Sequence, residues 1–215
     1  MIGKVTRHIP AADIRQFDDI SFENALRDSL RGSDDYDASQ WLFVPNTYTE
    51  YRYILGTRGN DPLICIGINP STARPNMLDP TLKSVERIAK GNGFDSFLMF
   101  NVSAQRATLP DDMDLNLNEV LHAENLKAFE YLLKLTAHPR VWAAWGTIIT
   151  KRPYLMRCLA DMAALAKAYD TVWLCAGKCS KAGHPHHPLY LRKDEQLRPF
   201  DMGNYLEQMA GSPPL

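Results

Sequence analysis

No apolar run in this chain approaches the roughly 20 residues needed to cross a bilayer. Its first residues, with Arg7, Asp13 and Arg15 among scattered apolar ones, lack the apolar stretch of a secretory signal. A cytoplasmic protein with no membrane partner is the expectation. Cysteine is scarce: Cys65, Cys158, Cys175 and Cys179 lie in or beside apolar segments and do not make the dense framework of a small disulfide-stapled domain, so reduced thiols are expected. Net charge is almost absent, −1 at pH 7, which excludes a uniformly basic clamp for nucleic acid. Internal repeats and low-complexity tracts are lacking too. What remains is an ordinary composition, 45% hydrophobic and 23% charged over 215 residues, enough for one domain with a real core.

The near-zero charge hides a gradient. Between Arg140 and Arg198 ten basic residues stand against four acidic ones, while Asp111 to Glu130 is acidic. A phosphate-bearing partner would approach the basic C-terminal third; solvated helix and loop charges would look the same.

Residues 1–40 are polar and acid-rich, with one helix expected from Ser21 to Leu30, and read as an N-terminal extension to a single domain over 41–215. Short β-rich runs follow at Trp41–Val44 and Tyr51–Leu55, expected to form a hairpin belonging to that extension. Four continuous apolar runs come next, Leu63 to Ile68, Phe97 to Phe100, Val141 to Trp145 and Val172 to Cys175. Continuous rather than alternating hydrophobicity implies burial on both faces, as in parallel strands covered by helices. Helical patterns separate them: one capped by Asp79 with Pro80 at its first position and stopped at Gly91-Asn92-Gly93, one from about Leu117 to Leu135, one from about Pro153 to Ala168. The expected fold is α/β, a three-layer α/β/α arrangement around a central four-stranded, mostly parallel sheet.

In open parallel sheets the ligand sits beyond the carboxyl ends of the strands. Those ends read Gly67-Ile68-Asn69-Pro70-Ser71, Asn101-Val102-Ser103, Trp145-Gly146-Thr147 and, through Gly177, His184-Pro185-His186-His187-Pro188. Asn69 and Asn101 are candidates for function or for turn formation, Asp79 for a base or merely a helix cap, and Trp145 for pocket wall or core. The three histidines, with Cys175 and Cys179 upstream, invite a zinc reading, but their spacing matches no standard finger or ribbon, and no metal is expected.

These motifs together resemble the uracil-DNA glycosylase superfamily and, more narrowly, a bacterial group known as domain of unknown function 1643. The Gly67-Ile68-Asn69-Pro70 stretch is similar to the first motif of the mismatch-specific thymine/uracil glycosylases, in which the Asn positions the attacking water. Asn101 resembles the Asn that reads the base edge, and Val141 to Gly146 resembles a strand ending in Trp-Gly. His187-Pro188-Leu189, or His184-Pro185, is similar to the His-Pro motif whose imidazole stabilises the departing base. Asn69 to Ala73, Asp79 to Thr81 and Pro185 to Tyr190 match the narrower group, which favours His187 over His184. The resemblance covers roughly Tyr51 to Phe200 and implies a hydrolase of the DNA-repair kind. The chain departs from the uracil-specific enzymes in carrying Asn69 where they have Asp, Ser71 where a Gly lets the nucleotide close in, and no Ser-Pro-Leu-Ser pattern after His187 to pinch DNA phosphates.

Base excision needs a water held opposite the departing base, donors for the base edge, and a group that takes up developing negative charge. The expected catalytic residues are Asn69, His187 and Asp79, the last because an amide cannot take a proton from water. Gly67, Pro70, Ser71, Asn101, Trp145 and His184 are expected to line the base or substrate site, and Arg106, Lys83, Arg192 and Lys193 to contact phosphate. The expected partner is a nucleic acid or nucleotide, with no cofactor. Two other readings stay open: an enzyme on a free nucleotide or another phosphorylated metabolite, and a non-catalytic binding protein.

Overall fold

The structure, a computed structural model, describes residues 7–11 and 20–211. Residues 1–6 and 12–19 of the expected N-terminal extension lie outside the described residues. In chain order the strands are β1 (Trp41–Val44), β2 (Ile54–Thr57), β3 (Pro62–Gly67), β4 (Ser96–Asn101), β5 (Arg140–Ala143), β6 (Val172–Ala176) and β7 (Leu197–Pro199). The α-helices are α1 (Phe22–Ser29), α2 (Pro80–Gly91), α3 (Glu119–Leu133), α4 (Pro153–Ala166) and α5 (Met202–Ala210).

The four apolar runs form β3 to β6, paired in parallel in the order β4-β3-β5-β6, and every residue of β3 and β4 is buried. Helices cover both faces. Leu82, Val85, Ile88 and Ala89 of α2 pack on Cys65, Met99 and Trp142, whereas Phe129 and Leu132 of α3 and Leu159 and Met162 of α4 share the opposite core with Ile66, Phe100 and Val141. Local chemistry sets the helix ends: Asp79 accepts the Leu82 N–H at 2.9 Å with Pro80 behind it, and α2 stops at Asn92 before Gly93, whose φ of +86° suits a residue without a side chain.

The sheet has seven strands, not the expected four. The β1–β2 hairpin is part of it rather than an appendage, because β2 pairs antiparallel with β4 through Leu55↔Met99 and Gly56↔Leu98. A Cβ on Gly56 would sit 2.0 Å from the Phe97 carbonyl oxygen, so glycine is what permits this join. The second β-rich run also starts late. Arg52 N–H instead bonds the Ala104 carbonyl and Tyr51 bridges Gln105, which ties residues 51–52 to the chain just beyond β4. On the other edge β7 pairs antiparallel with β6. No helix among the described residues is long and apolar enough to cross a membrane.

Candidate functional site

From β3 the chain moves to one neighbour, β4, and then crosses to the other side, β5. A crevice opens at such a reversal, outside the carboxyl ends of β3 and β5. The strand tips there are in register: Gly67 lies opposite Asn101, and the Ala144 N–H bonds the Ile66 carbonyl at 3.0 Å. Alternation along each strand puts Gly67 and Asn101 on the α2 face, in step with Cys65 and Met99.

Asn101 is 1% exposed, and neither its Nδ2 nor its Oδ1 has a hydrogen-bond partner among the described residues. Burying such an amide costs about 1–3 kcal/mol unless something answers it. Its backbone, by contrast, is pinned: Asn125 of α3 donates Nδ2 to the Asn101 carbonyl at 3.0 Å. Gly67 makes the room, since a Cβ there would stand 3.0 Å from Asn101 Oδ1 and 2.5 Å from Met99 Cε.

Asn69 is half-buried and donates Nδ2 to the Pro70 carbonyl at 3.0 Å and to the Ala107 carbonyl at 2.7 Å. Two carbonyls can only accept, so the nitrogen must face them and Oδ1 is left as the outward acceptor. Pro70 is buried and its carbonyl also receives the Ala107 N–H. Ser71 Oγ meets Thr108 Oγ1 at 3.1 Å. The Asn69–Ala73 loop is thereby stitched to residues 106–108.

Asp79 and His187 belong to the same neighbourhood. The 3-10 turn Pro188–Tyr190 packs on α2, and His187 lies against Gly146, whose Cβ position would be 3.3 Å from His187 Cβ. Burial pushes the His187 imidazole below its ordinary value of 6.5, partly offset by the Asp79 carboxylate. The ring is therefore neutral at pH 7. The Leu189 N–H makes a long contact to its Nδ1 at 3.4 Å, which favours the tautomer with the proton on Nε2, a hydrogen-bond donor. Asp79 also acts electrostatically on Arg52, so its charge reaches both the imidazole and a guanidinium.

Arg106 is fully buried and Arg52 is 1% exposed. Both donate Nη1 to the Ala73 carbonyl, at 3.5 and 3.3 Å, and Arg106 Nη1 also bonds the Ser71 carbonyl. Sequence reading singled out Arg106 and missed Arg52, because an Arg between two tyrosines in a β-rich run reads as the solvent-facing half of an alternation; here Tyr51, Arg52 and Tyr53 are all buried. Tyr48 and His8 were missed as well. The Tyr48 ring lies 4.2 Å under the Arg106 guanidinium and its hydroxyl meets His8 Nδ1 at 3.0 Å, while His8 Nε2 meets Glu50 Oε2 at 3.1 Å.

Other expected site residues lie elsewhere. Trp145 is fully buried in the core on the α3–α4 face, its Nε1 donating to Tyr205 of α5 at 3.0 Å, and His184 Nδ1 meets the same hydroxyl at 2.9 Å. These two form a network with Tyr205, not with Asn101. Lys83, Arg192 and Lys193 are exposed, and Arg192 pairs with Asp194. Much of the basic excess in the C-terminal third is balanced locally, since Arg140 pairs with Asp61, Lys151 with Asp111 and Arg157 with Glu119. Among the described residues no group of three His, Cys, Asp or Glu is placed to hold a metal ion. A cleft of about 420 Å³ beside β6 and α5, lined by Lys178, Cys179, Arg198 and Tyr205, contains none of the expected catalytic residues.

Residues 52–189 match the family described as Protein of unknown function (DUF1643), a span that begins at Arg52 and ends two residues past His187. No curated protein and no solved structure matches the chain.

Proposed function

We propose that this chain, which belongs to the DUF1643 family by the match over residues 52–189, recognises a nucleobase at the carboxyl ends of β3, β4 and β5. The observation that carries this reading is the Asn101 amide, buried on the α2 face with donor and acceptor both unanswered among the described residues. One N–H and one C=O side by side complement the –NH–CO– edge of a base.

The surrounding groups equip the same place for cleavage of an N-glycosidic bond in nucleic acid or nucleotide. In that reaction the bond from C1′ to the base nitrogen breaks, its electron pair leaves with the base, and a water oxygen joins C1′. Asn69 Oδ1, held outward by two backbone bonds, can accept from that water and orient it. It cannot take the proton. Asp79, whose Oδ1 caps α2, is the carboxylate that can receive it. Neutral His187 offers its Nε2–H to the charge developing on the base. This is the chemistry of the uracil-DNA glycosylase resemblance, reached with an amide where the uracil-specific enzymes use a carboxylate.

The test is release of free base from DNA carrying uracil, hypoxanthine or alkylated bases, and from the corresponding nucleotides. Release that Asn69→Ala abolishes supports the enzyme. Base-dependent binding without release supports recognition alone, the reading favoured by the engagement of both Asn69 amide hydrogens with the backbone. Neither binding nor release removes both.

A further inference from the structure

Arg52 and Arg106 are neighbours sharing one acceptor, the Ala73 carbonyl, and neither forms an ion pair among the described residues. Arg52 Nε and Arg106 Nε and Nη2 are buried with no acceptor among the described residues. The carboxylates that act on them electrostatically are already engaged: Asp79 accepts the Leu82 N–H, and Glu50 accepts from Ala11 N–H and meets His8 Nε2. Burial lowers Arg52 to about 9, with Arg106 pushing it the same way, and lowers Arg106 to about 10, so both remain cations at neutral pH. A fold that keeps two adjacent cations out of water, with unused N–H groups on each, is built for a negative charge that the chain does not itself supply.

We propose that Arg52 and Arg106 form an anion subsite for the phosphate monoester of a mononucleotide, the base of which occupies the Asn101 site. The proposal rests on the base-recognition reading. Two guanidiniums match the charge of a phosphate monoester, about −1.5 to −2 at pH 7, and their donors, arriving from two planes, suit a tetrahedral oxyanion. An internucleotide phosphodiester carries one charge, fewer than two guanidiniums can answer. A cleft of about 300 Å³ lies nearby, lined by Tyr48, whose ring stacks on the Arg106 guanidinium, and by Arg74, which follows Ala73; neither Arg52 nor Arg106 itself lines it.

The experiment is thermal unfolding and calorimetric titration of the full chain with inorganic phosphate, nucleoside 5′-monophosphates, the matching nucleosides, and a single-stranded oligonucleotide lacking a terminal phosphate. Phosphate and the monophosphates should raise the melting temperature, and monophosphates should bind more tightly than nucleosides. Arg52→Met and Arg106→Met should each lose the phosphate-dependent shift and roughly tenfold or more in monophosphate affinity. Their unliganded melting temperatures should be unchanged or higher, because a repelled buried cation has gone. Should a methionine variant fail to fold, Arg52→Lys and Arg106→Lys keep the charge, lose the fork, and are expected to bind phosphate more weakly.

Absence of any shift with phosphate and monophosphates overturns the proposal, as does tighter, arginine-dependent binding of the oligonucleotide. Nucleoside binding that needs Asn101 but neither arginine overturns the subsite and leaves the base reading intact. Phosphate binding that needs both arginines, with nucleosides inert and Asn101→Ala without effect, keeps the subsite and removes the base reading.

Discussion

Gly67 and Asn101 stand opposite each other at the tips of β3 and β4, and the space a side chain on Gly67 would take is bordered by Asn101 Oδ1 at 3.0 Å and Met99 Cε at 2.5 Å. The glycine and the amide are one device: the missing side chain of the first leaves the room that Met99 and the second fill. Gly67→Ala is expected to force Met99 and Asn101 aside, lower stability by about 1–3 kcal/mol, and reduce nucleobase binding. Denaturant unfolding and nucleoside titration read the two effects separately.

Replacing Asn101 by Leu removes an unanswered polar group from a buried site. Stability should be unchanged or raised, by up to about 1–3 kcal/mol, while base binding is lost. A large fall in stability would mean that the amide holds the fold together.

Asp79→Asn separates capping from charge, since Asn caps helices about as well as Asp. Little change in unfolding free energy is expected. His187 should titrate at still lower pH, because Asp79 is the group that holds it up against burial. NMR titration of the His187 ring protons measures this, and an upward move would show that Asp79 does not act on it.

Acid should destabilise the protein through His184 and His187. Burial lowers both His184 and His187 below 6.5, so in this range the unfolded chain binds more protons than the folded one. Their contribution is complete above pH 6.5 and is lost as pH falls through the folded-state values. Urea unfolding between pH 7.5 and 5 should show stability declining with acidity, and less steeply in His187→Gln.

Trp145 and Tyr205 sit on the other face of the sheet from Asn101. Tyr205→Phe removes the hydroxyl that links Trp145 to His184 and should cost about 1–3 kcal/mol, with ligand affinity unchanged. A loss of affinity without loss of stability would move the site to that face.

The centre of the sheet was legible because residues buried on both faces must be apolar at every position, as in Leu63 to Ile66 and Phe97 to Phe100. The edges were not. Strand β7, Leu197-Arg198-Pro199, is half in water and carries a proline, so it leaves no apolar run to notice. Helix α5 buries only Met202 and Tyr205, too few for a clear stripe. Of the candidate site, Asn69, Asp79, Asn101 and His187 stand out in the sequence by their places after strands and before a helix. Arg52 was hidden by its residue type, because a charged side chain in a short β-rich segment is expected to face solvent, and only tertiary packing shows that it does not. Trp145, read as pocket wall or core, proved to be core because its strand alternates away from α2.

Base recognition here requires the Asn101 amide to meet the base. The direct measurement is the side-chain ¹⁵N–¹H₂ signal of Asn101, followed by NMR while nucleosides and nucleoside monophosphates are titrated into the protein, with the Trp145 indole N–H as an internal reference. The Asn101 signal is expected to move saturably while the Trp145 signal stays within its baseline. A still Asn101 signal beside a ligand-dependent shift at Trp145, or no shift at either, would contradict it.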